Sequence, residues 1–571
     1  MSTPPASSEA NSGKVSSGSA TAGVSTSGAA HTAASKVEMQ HRLFAELSAM
    51  FGKEVPLYDK ALEVNRACNR AVCGLLEKLH VGFVFSDEEL EKTSGERHGA
   101  IRIGRKDEYR WVARFFAQFA MEPHNFYDMS SIGAKSLPIV ATAFRSRISP
   151  DHRVFTSLLM TDYFDPATQG RIEKVLAGRQ VFSDAAKALI EKAERQGWLD
   201  WTDANALIRE GTEQIFKWTG RAHDHELYKE LCDGGFKIAA DIACFERHHL
   251  NHLTPNTLCM DLYTAAMKFC MGEMDERAFE DRARRAMTRL VGFAGKDWMH
   301  LHFKHVPRER IDALPSASAS PAEVNAIVEA LIQRLKQADL NLRLLKHNGF
   351  KDFTEGPSED TPVLLRQDAY KALTEPVTFT NADGTTTSAV HTARFGEIEQ
   401  RFYACTPKGR ALYDRCLTVA DAARDKDPGL PKRDFAAYEA LYSEPFKPFP
   451  KALDRLIADE LVCARYSPTS AGLKGKGTMT TDDMAELVRL GYSQVEGLRY
   501  EDFLPVSAAG IFASNLNQYG AKSTAAQRPK YTQAMLEEIM KIKIIDADAQ
   551  YQMIQSESIA QTRRALGLVP R

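Results

Sequence analysis

Apolar residues recur three and four positions apart from about residue 37 to residue 80, in LFAELSAMFG and YDKALEVNRACNRAVCGLLEKL. That spacing lines one face of a helix. RHGAIRIG (97–104) switches to alternation and predicts a short strand, and DEYRWVARFFAQFAM (107–121) returns to helix. KSLPIVATAFR (135–145) is apolar and β-rich, residues 180–240 read mainly as helix, and IAADIACFERHHLNHLTPNT (238–257) reads as strand-like. Helical spacing resumes over 262–350. There Ser320, Pro321 and Glu323 stand at N-cap, N1 and N3, ahead of a stripe of Val324, Ile327, Val328, Leu331, Ile332 and Leu335. DALPSASASP just before it reads as a flexible joint. Strand signals return in TPVLLRQ (361–367), in PVTFTNADGTTTSAVHTARFGEIEQRFYA (376–404) and in LPVSAAGIF (504–512). NADGTTT has turn chemistry and predicts a hairpin. The pattern describes an α+β protein, with a β core assembled from distant segments and wrapped by helices.

Composition changes this picture mainly at the ends. Residues 1–36 are mostly Ser, Ala, Thr and Gly, with no Leu, Ile, Phe, Trp or Tyr. Such a segment buries too little apolar surface to offset its ordering entropy and is expected to be disordered. It has no apolar core of a secretory signal and no Arg, which disfavours a transit peptide. Residues 37–521 are expected to form one catalytic domain, with 262–350 as a helical insertion and 522–571 as a helical tail. The net charge of −2 over 571 residues gives no drive toward nucleic acid or an anionic membrane. No run of 18 apolar residues predicts a spanning helix. Nine cysteines, an odd number with no CxxC, fit reduced thiols in a cytoplasmic protein.

Several clusters carry candidate chemistry. His98 and Arg102 share one strand face in RHGAIRIG. Taken alone, that pair suits a surface role as well as a functional one. His248, His249 and His252 form HHLNH, either a metal cluster or a solvated loop. GEIEQR places Glu397 and Glu399 on one strand face, with His391 six residues before the first. HDHE (223–226) reads better as the acidic first turn of a helix than as a second metal cluster. AGLKGKGTM (471–479) lacks the Ser or Thr that must follow the lysine of a phosphate loop, and no GxSxG occurs. Two His and one carboxylate on one side of an octahedral Fe(II) leave three positions, enough for a 2-oxo acid and O2. Spacing alone does not bring these segments together.

RHGAIRIG, LNHLTPNT, TPVLLRQDAYKAL, HTARFGEIEQR and YEDFLPVSAAGIF, in this order, resemble the 2-oxoadipate dioxygenase/decarboxylase family over most of residues 40–515. EIEQR is also similar to the EIIQR-type strand of 4-hydroxyphenylpyruvate dioxygenase. The resemblance implies a fold related to the vicinal-oxygen-chelate proteins and an Fe(II) site of His98, His252 and Glu397. His249 remains the alternative to His252, and Glu399 is expected to support a ligand or to be solvated. The resemblance also implies that Arg102, Val506 and Ser507 bind substrate, with Arg102 taking its distal carboxylate. The implied reaction uses O2 to turn 2-oxoadipate into 2-hydroxyglutarate by oxidative decarboxylation and intramolecular hydroxylation, a step of lysine breakdown. Two other readings stay open: different metal-dependent chemistry on a related 2-oxo acid, and a non-catalytic scaffold of the same fold. The same ligands would accept Mn(II) or Co(II) in place of Fe(II).

Overall fold

A computed structural model describes residues 32–131, 136–504, 522–527 and 529–568. Twelve strands are present among them. They are β1 (Glu96–Ile103), β2 (Glu122–Asp128), β3 (Ile139–Arg145), β4 (Arg153–Leu159), β5 (Arg221–His223), β6 (His252–Pro255), β7 (Leu365–Ala369), β8 (Thr374–Thr380), β9 (Thr386–Thr392), β10 (Phe395–Arg401), β11 (Ala464–Pro468) and β12 (Ser493–Gly497). Seven form one sheet in the order β2-β3-β4-β1-β6-β10-β7; β5-β8-β9 and β11-β12 form two smaller sheets. The large sheet is the expected β core, and its members come from segments up to about 300 residues apart in the chain.

Its centre is β1, buried along nearly its whole length. It pairs in parallel with β4, setting His98 opposite Arg153 and Arg102 opposite Ser157. On its other side it pairs antiparallel with β6, setting His98 opposite Thr254 and Ala100 opposite His252. β10 then lies parallel to β6, with Phe395 opposite His252. Two glycines permit this close packing. A Cβ on Gly99 would stand 3.1 Å from the His252 carbonyl oxygen, and one on Gly396 would lie 2.5 Å from the Tyr370 ring. Each glycine adjoins a residue of the site described below, so the backbone there approaches its neighbours as only glycine allows.

Helices cover this sheet. Lys36–Glu54 is capped by Ser35, and Pro56–Leu79 carries Val64, Cys68, Val72, Leu75 and Leu76 into the core. The helices Met260–Cys270 and Pro321–Leu335 both pack on Pro56–Leu79, so the stretch 262–350 belongs to the main hydrophobic core. Ser320 and Glu323 cap the second of them reciprocally, as their spacing predicts. The hairpin across NADGTTT forms between β8 and β9. Among the described residues, no helix is long and apolar enough to cross a membrane.

Two expectations need correction. Ordered backbone begins before residue 37: Ala33 pairs with Asp200, Ala34 is buried and Ser35 caps the first helix. The strand-like reading of 238–257 holds only for His252–Pro255, because Lys237–Cys244 is a helix. Every residue of 238–244 is buried, and a fully buried run carries no periodicity to tell helix from strand. The C-terminal segment carries the helices Gln533–Met540 and Ala547–Leu566 and packs on the rest of the protein. Its helix Ala547–Leu566 packs on β11, and Tyr551 donates to Asp502 at 2.6 Å while accepting from the Glu501 amide at 2.7 Å. The predicted strand 504–512, with Val506 and Ser507, lies almost wholly outside the described residues.

Candidate metal centre

Three neighbouring strands, β1, β6 and β10, each contribute one side chain to a single buried point. His98, His252 and Glu397 offer donor atoms that all lie within 4.8 Å of one another. His98 Nε2 stands 2.9 Å from Glu397 Oε2, and His252 Nε2 stands 3.4 Å from the same oxygen. Thr254 Oγ1 donates to that oxygen at 3.0 Å. The Phe503 ring meets His98 edge-on at 4.7 Å, and Phe395 stacks on His252 at 4.9 Å.

The arrangement fits a cation. His98 Nδ1 lies 2.9 Å from Glu399 Oε2, and Glu399 is ionised, so the Nδ1 proton belongs in that hydrogen bond. Nε2 then turns its lone pair toward the Glu397 carboxylate. Two lone pairs at that distance repel unless a proton or metal ion lies between them. Glu397 Oε1 and His252 Nδ1 are buried with no hydrogen-bond partner. Burial pushes the Glu397 carboxyl up, but His252 and His98 outweigh it and hold the carboxyl below its ordinary value. Burial pushes His252 down to about 4, against the attraction of Glu397. An ionised carboxylate beside a neutral imidazole is the state in which such groups bind a divalent ion.

Glu399 supports this centre rather than joining it. Its Oε1 accepts from Arg153 Nη2 at 2.7 Å and from Arg401 Nε at 2.6 Å, and its Oε2 accepts from Arg401 Nη2 at 2.8 Å. Burial opposes its charge, but Arg401 and Arg153 hold it well below the usual carboxylate range. Arg153 continues to Glu501 at 2.9 Å, and Arg401 to the carbonyls of Tyr500 and Asp502. Glu399→Gln loses the charge that fixes the His98 tautomer. Metal affinity should fall roughly 10- to 100-fold, as when an outer partner of a ligating histidine is lost. Metal titration checks this, and unchanged affinity would remove Glu399 from the support of His98.

Arg102 lies farther along the same face of β1 and is buried. It pairs through Nη1 with Asp241, on the helix Lys237–Cys244. Asp241 Oδ1 also faces His391 Nε2 at 3.0 Å and His249 Nε2 at 3.2 Å. His249 is thus turned to Asp241, which leaves His252 as the member of HHLNH that meets Glu397. His248 goes elsewhere, to Glu108 at 3.2 Å. His391 belongs to β9 in a different sheet, is not among the three convergent donors, and turns its Nε2 to Asp241 instead. Asp224 of HDHE caps the helix His225–Asp233, as its plain reading predicts.

Sequence reasoning missed Thr254, Arg153, Arg401 and Asp241. Thr254 was legible, because it stands two residues after His252 and shares its strand face. Arg401 bears the same relation to Glu399. Arg153 and Asp241 carry no local signal, since only the sheet order and a helix placement bring them in.

The chain is also similar to known proteins along most of its length. The family model described as 2-oxoadipate dioxygenase/decarboxylase matches residues 43–280 and 299–515, so only 281–298 of the helical stretch falls outside it. A 2-oxoadipate dioxygenase/decarboxylase of Pseudomonas putida is 33% identical over 94% of this chain and 99% of its own length. One from Escherichia coli is 30% identical over 93% and 98%. The crystal structure of the hydroxyglutarate synthase from Pseudomonas putida in complex with 2-oxoadipate superposes with a TM-score of 0.63 at 30% identity, covering 94% of this chain and 99% of that one.

Proposed function

The chain belongs to the 2-oxoadipate dioxygenase/decarboxylase family, and we propose that it converts 2-oxoadipate and O2 to 2-hydroxyglutarate and CO2 at an Fe(II) held by His98, His252 and Glu397. The observation that carries this reading is the convergence of the three donors from adjacent strands. Both oxygen atoms of O2 enter one product, 2-hydroxyglutarate: one completes the new carboxylate and the other becomes the hydroxyl, while CO2 carries the oxygens of the original C1 carboxylate.

Fe(II) at this site supplies Lewis acidity toward the 2-oxo acid and open positions for substrate and O2. The protein's own groups do the rest. Glu399 keeps the Nδ1 proton of His98 in place, so Nε2 stays a donor. Arg102 binds the distal carboxylate. It stands four residues along β1 from His98, about 13 Å between Cα atoms. A six-carbon diacid and an arginine side chain together bridge that length. Holding both ends of the substrate fixes which carbon faces the oxidant, and displacement by about 1 Å at such a step is costly. The aromatic walls of Phe503 and Phe395 keep water from the reacting carbon. Val506 and Ser507 are carried as further substrate contacts on the resemblance of LPVSAAG. Free thiols at all nine cysteines, eight of them buried, support a reducing cytoplasmic setting.

Anaerobic reconstitution with Fe(II), followed by O2 uptake with 2-oxoadipate, tests this. One O2 consumed per CO2 released and 2-hydroxyglutarate formed is the expected result. No uptake by protein that has bound iron would overturn it.

A further inference from the structure

We propose that Asp241 is a positioning residue that holds Arg102 for the distal carboxylate of the substrate and so sets the preference for diacids, with His391 and His249 holding Asp241 in turn. The proposal rests on the assignment of Arg102 under the proposed function.

Asp241 sits on the helix Lys237–Cys244, outside the large sheet, yet it reaches the guanidinium on β1. Its side chain is 1% exposed, and that of Arg102 is 2% exposed. Its two oxygens divide their work. Oδ2 takes Arg102 Nη1, while Oδ1 faces His391 Nε2 at 3.0 Å and His249 Nε2 at 3.2 Å. The carboxylate is therefore held from two directions and has little freedom to swing. His391 is itself held, with Nδ1 2.9 Å from the Tyr228 hydroxyl and its ring 4.5 Å from that of Phe245. The Trp218 ring meets His249 edge-on at 4.7 Å.

Such a chain does two things for an arginine that must meet a second carboxylate. It fixes a long side chain before the ligand arrives, which removes an ordering cost from binding. It also offsets the buried charge while substrate is absent, and the low local dielectric strengthens each link. The two imidazoles facing Asp241 then limit the repulsion between the resident carboxylate and the incoming one.

The test compares kcat/KM for 2-oxoadipate with that for 2-oxohexanoate, which has the same chain length but no distal carboxylate. Iron content is checked in every variant. Asp241→Asn keeps the shape and removes the charge, and the ratio of the two values should fall at least about tenfold. In an Arg102→Ala background the same change should alter the ratio by less than about twofold, because its effect acts through Arg102. His391→Phe keeps the ring against Phe245 and deletes the contact with Asp241; it should lower the ratio about threefold, and it decides the matter if Asp241→Asn does not fold. A loss shared equally by both substrates would mark Asp241 as merely structural and overturn the proposal. A ratio that rises would mean that Asp241 competes with substrate for Arg102, and would overturn it too. If Arg102→Ala leaves the ratio unchanged, the assignment of Arg102 fails; if that variant collapses the ratio and Asp241→Asn does not, only the role of Asp241 fails.

Discussion

Glu397→Gln should abolish turnover of 2-oxoadipate, by roughly 10³-fold or more, and should purify without stoichiometric iron. A 10³-fold loss is about 4 kcal/mol of transition-state stabilisation. Glu397 Oε2 is the atom toward which both imidazoles point, at 2.9 and 3.4 Å, and Oε1 is a buried acceptor with no partner. The substitution keeps volume and removes the charge that balances a divalent ion. It also sets an amide where the Thr254 hydroxyl and two ring nitrogens converge. Metal analysis beside the turnover assay separates the two consequences. A variant that bound a full equivalent of iron and turned over normally would show that the carboxylate is not a ligand.

Arg102→Ala should lower kcat/KM for 2-oxoadipate roughly 10²-fold, about 3 kcal/mol, while iron content stays near one equivalent. That size suits the loss of a charge-assisted pair to a carboxylate. Retained iron distinguishes this variant from Glu397→Gln. Arg102→Lys should recover part of the loss, because an ammonium restores charge without the planar fork. Full turnover by the alanine variant would withdraw the assigned role.

The fold was legible where local pattern and burial differ along the chain. β1, β10, the hairpin of β8 and β9 and the helix Pro321–Leu335 all follow alternation, turn chemistry or capping. The helix Lys237–Cys244 was not legible, since burial on every side erases the polar positions that reveal a period. The choice between Glu397 and Glu399 illustrates a different limit. Both lie on β10, two residues apart, and residue type does not separate them. What separates them is Arg153, which faces β1 from β4 and takes up Glu399, leaving Glu397 to the imidazoles. That follows from the order of strands in the sheet, which no single segment encodes. Likewise His249 and His252 differ in role because one precedes β6 and turns toward Asp241, while the other begins the strand.

The order β1-β6-β10 has a consequence for how the molecule comes to be active during its synthesis. The three proposed ligands are spread across residues 98, 252 and 397, and the carboxylate that steadies the first histidine comes at 399. No N-terminal portion that ends before residue 399 holds the full set, and the arginines that neutralise Glu399 continue to contacts at 500–502. Pairings this distant in sequence are slow to form. Metal uptake at the proposed site would thus wait for the last third of synthesis, and a chain stalled before residue 397 would have neither a complete ligand set nor the β10 strand that closes the centre.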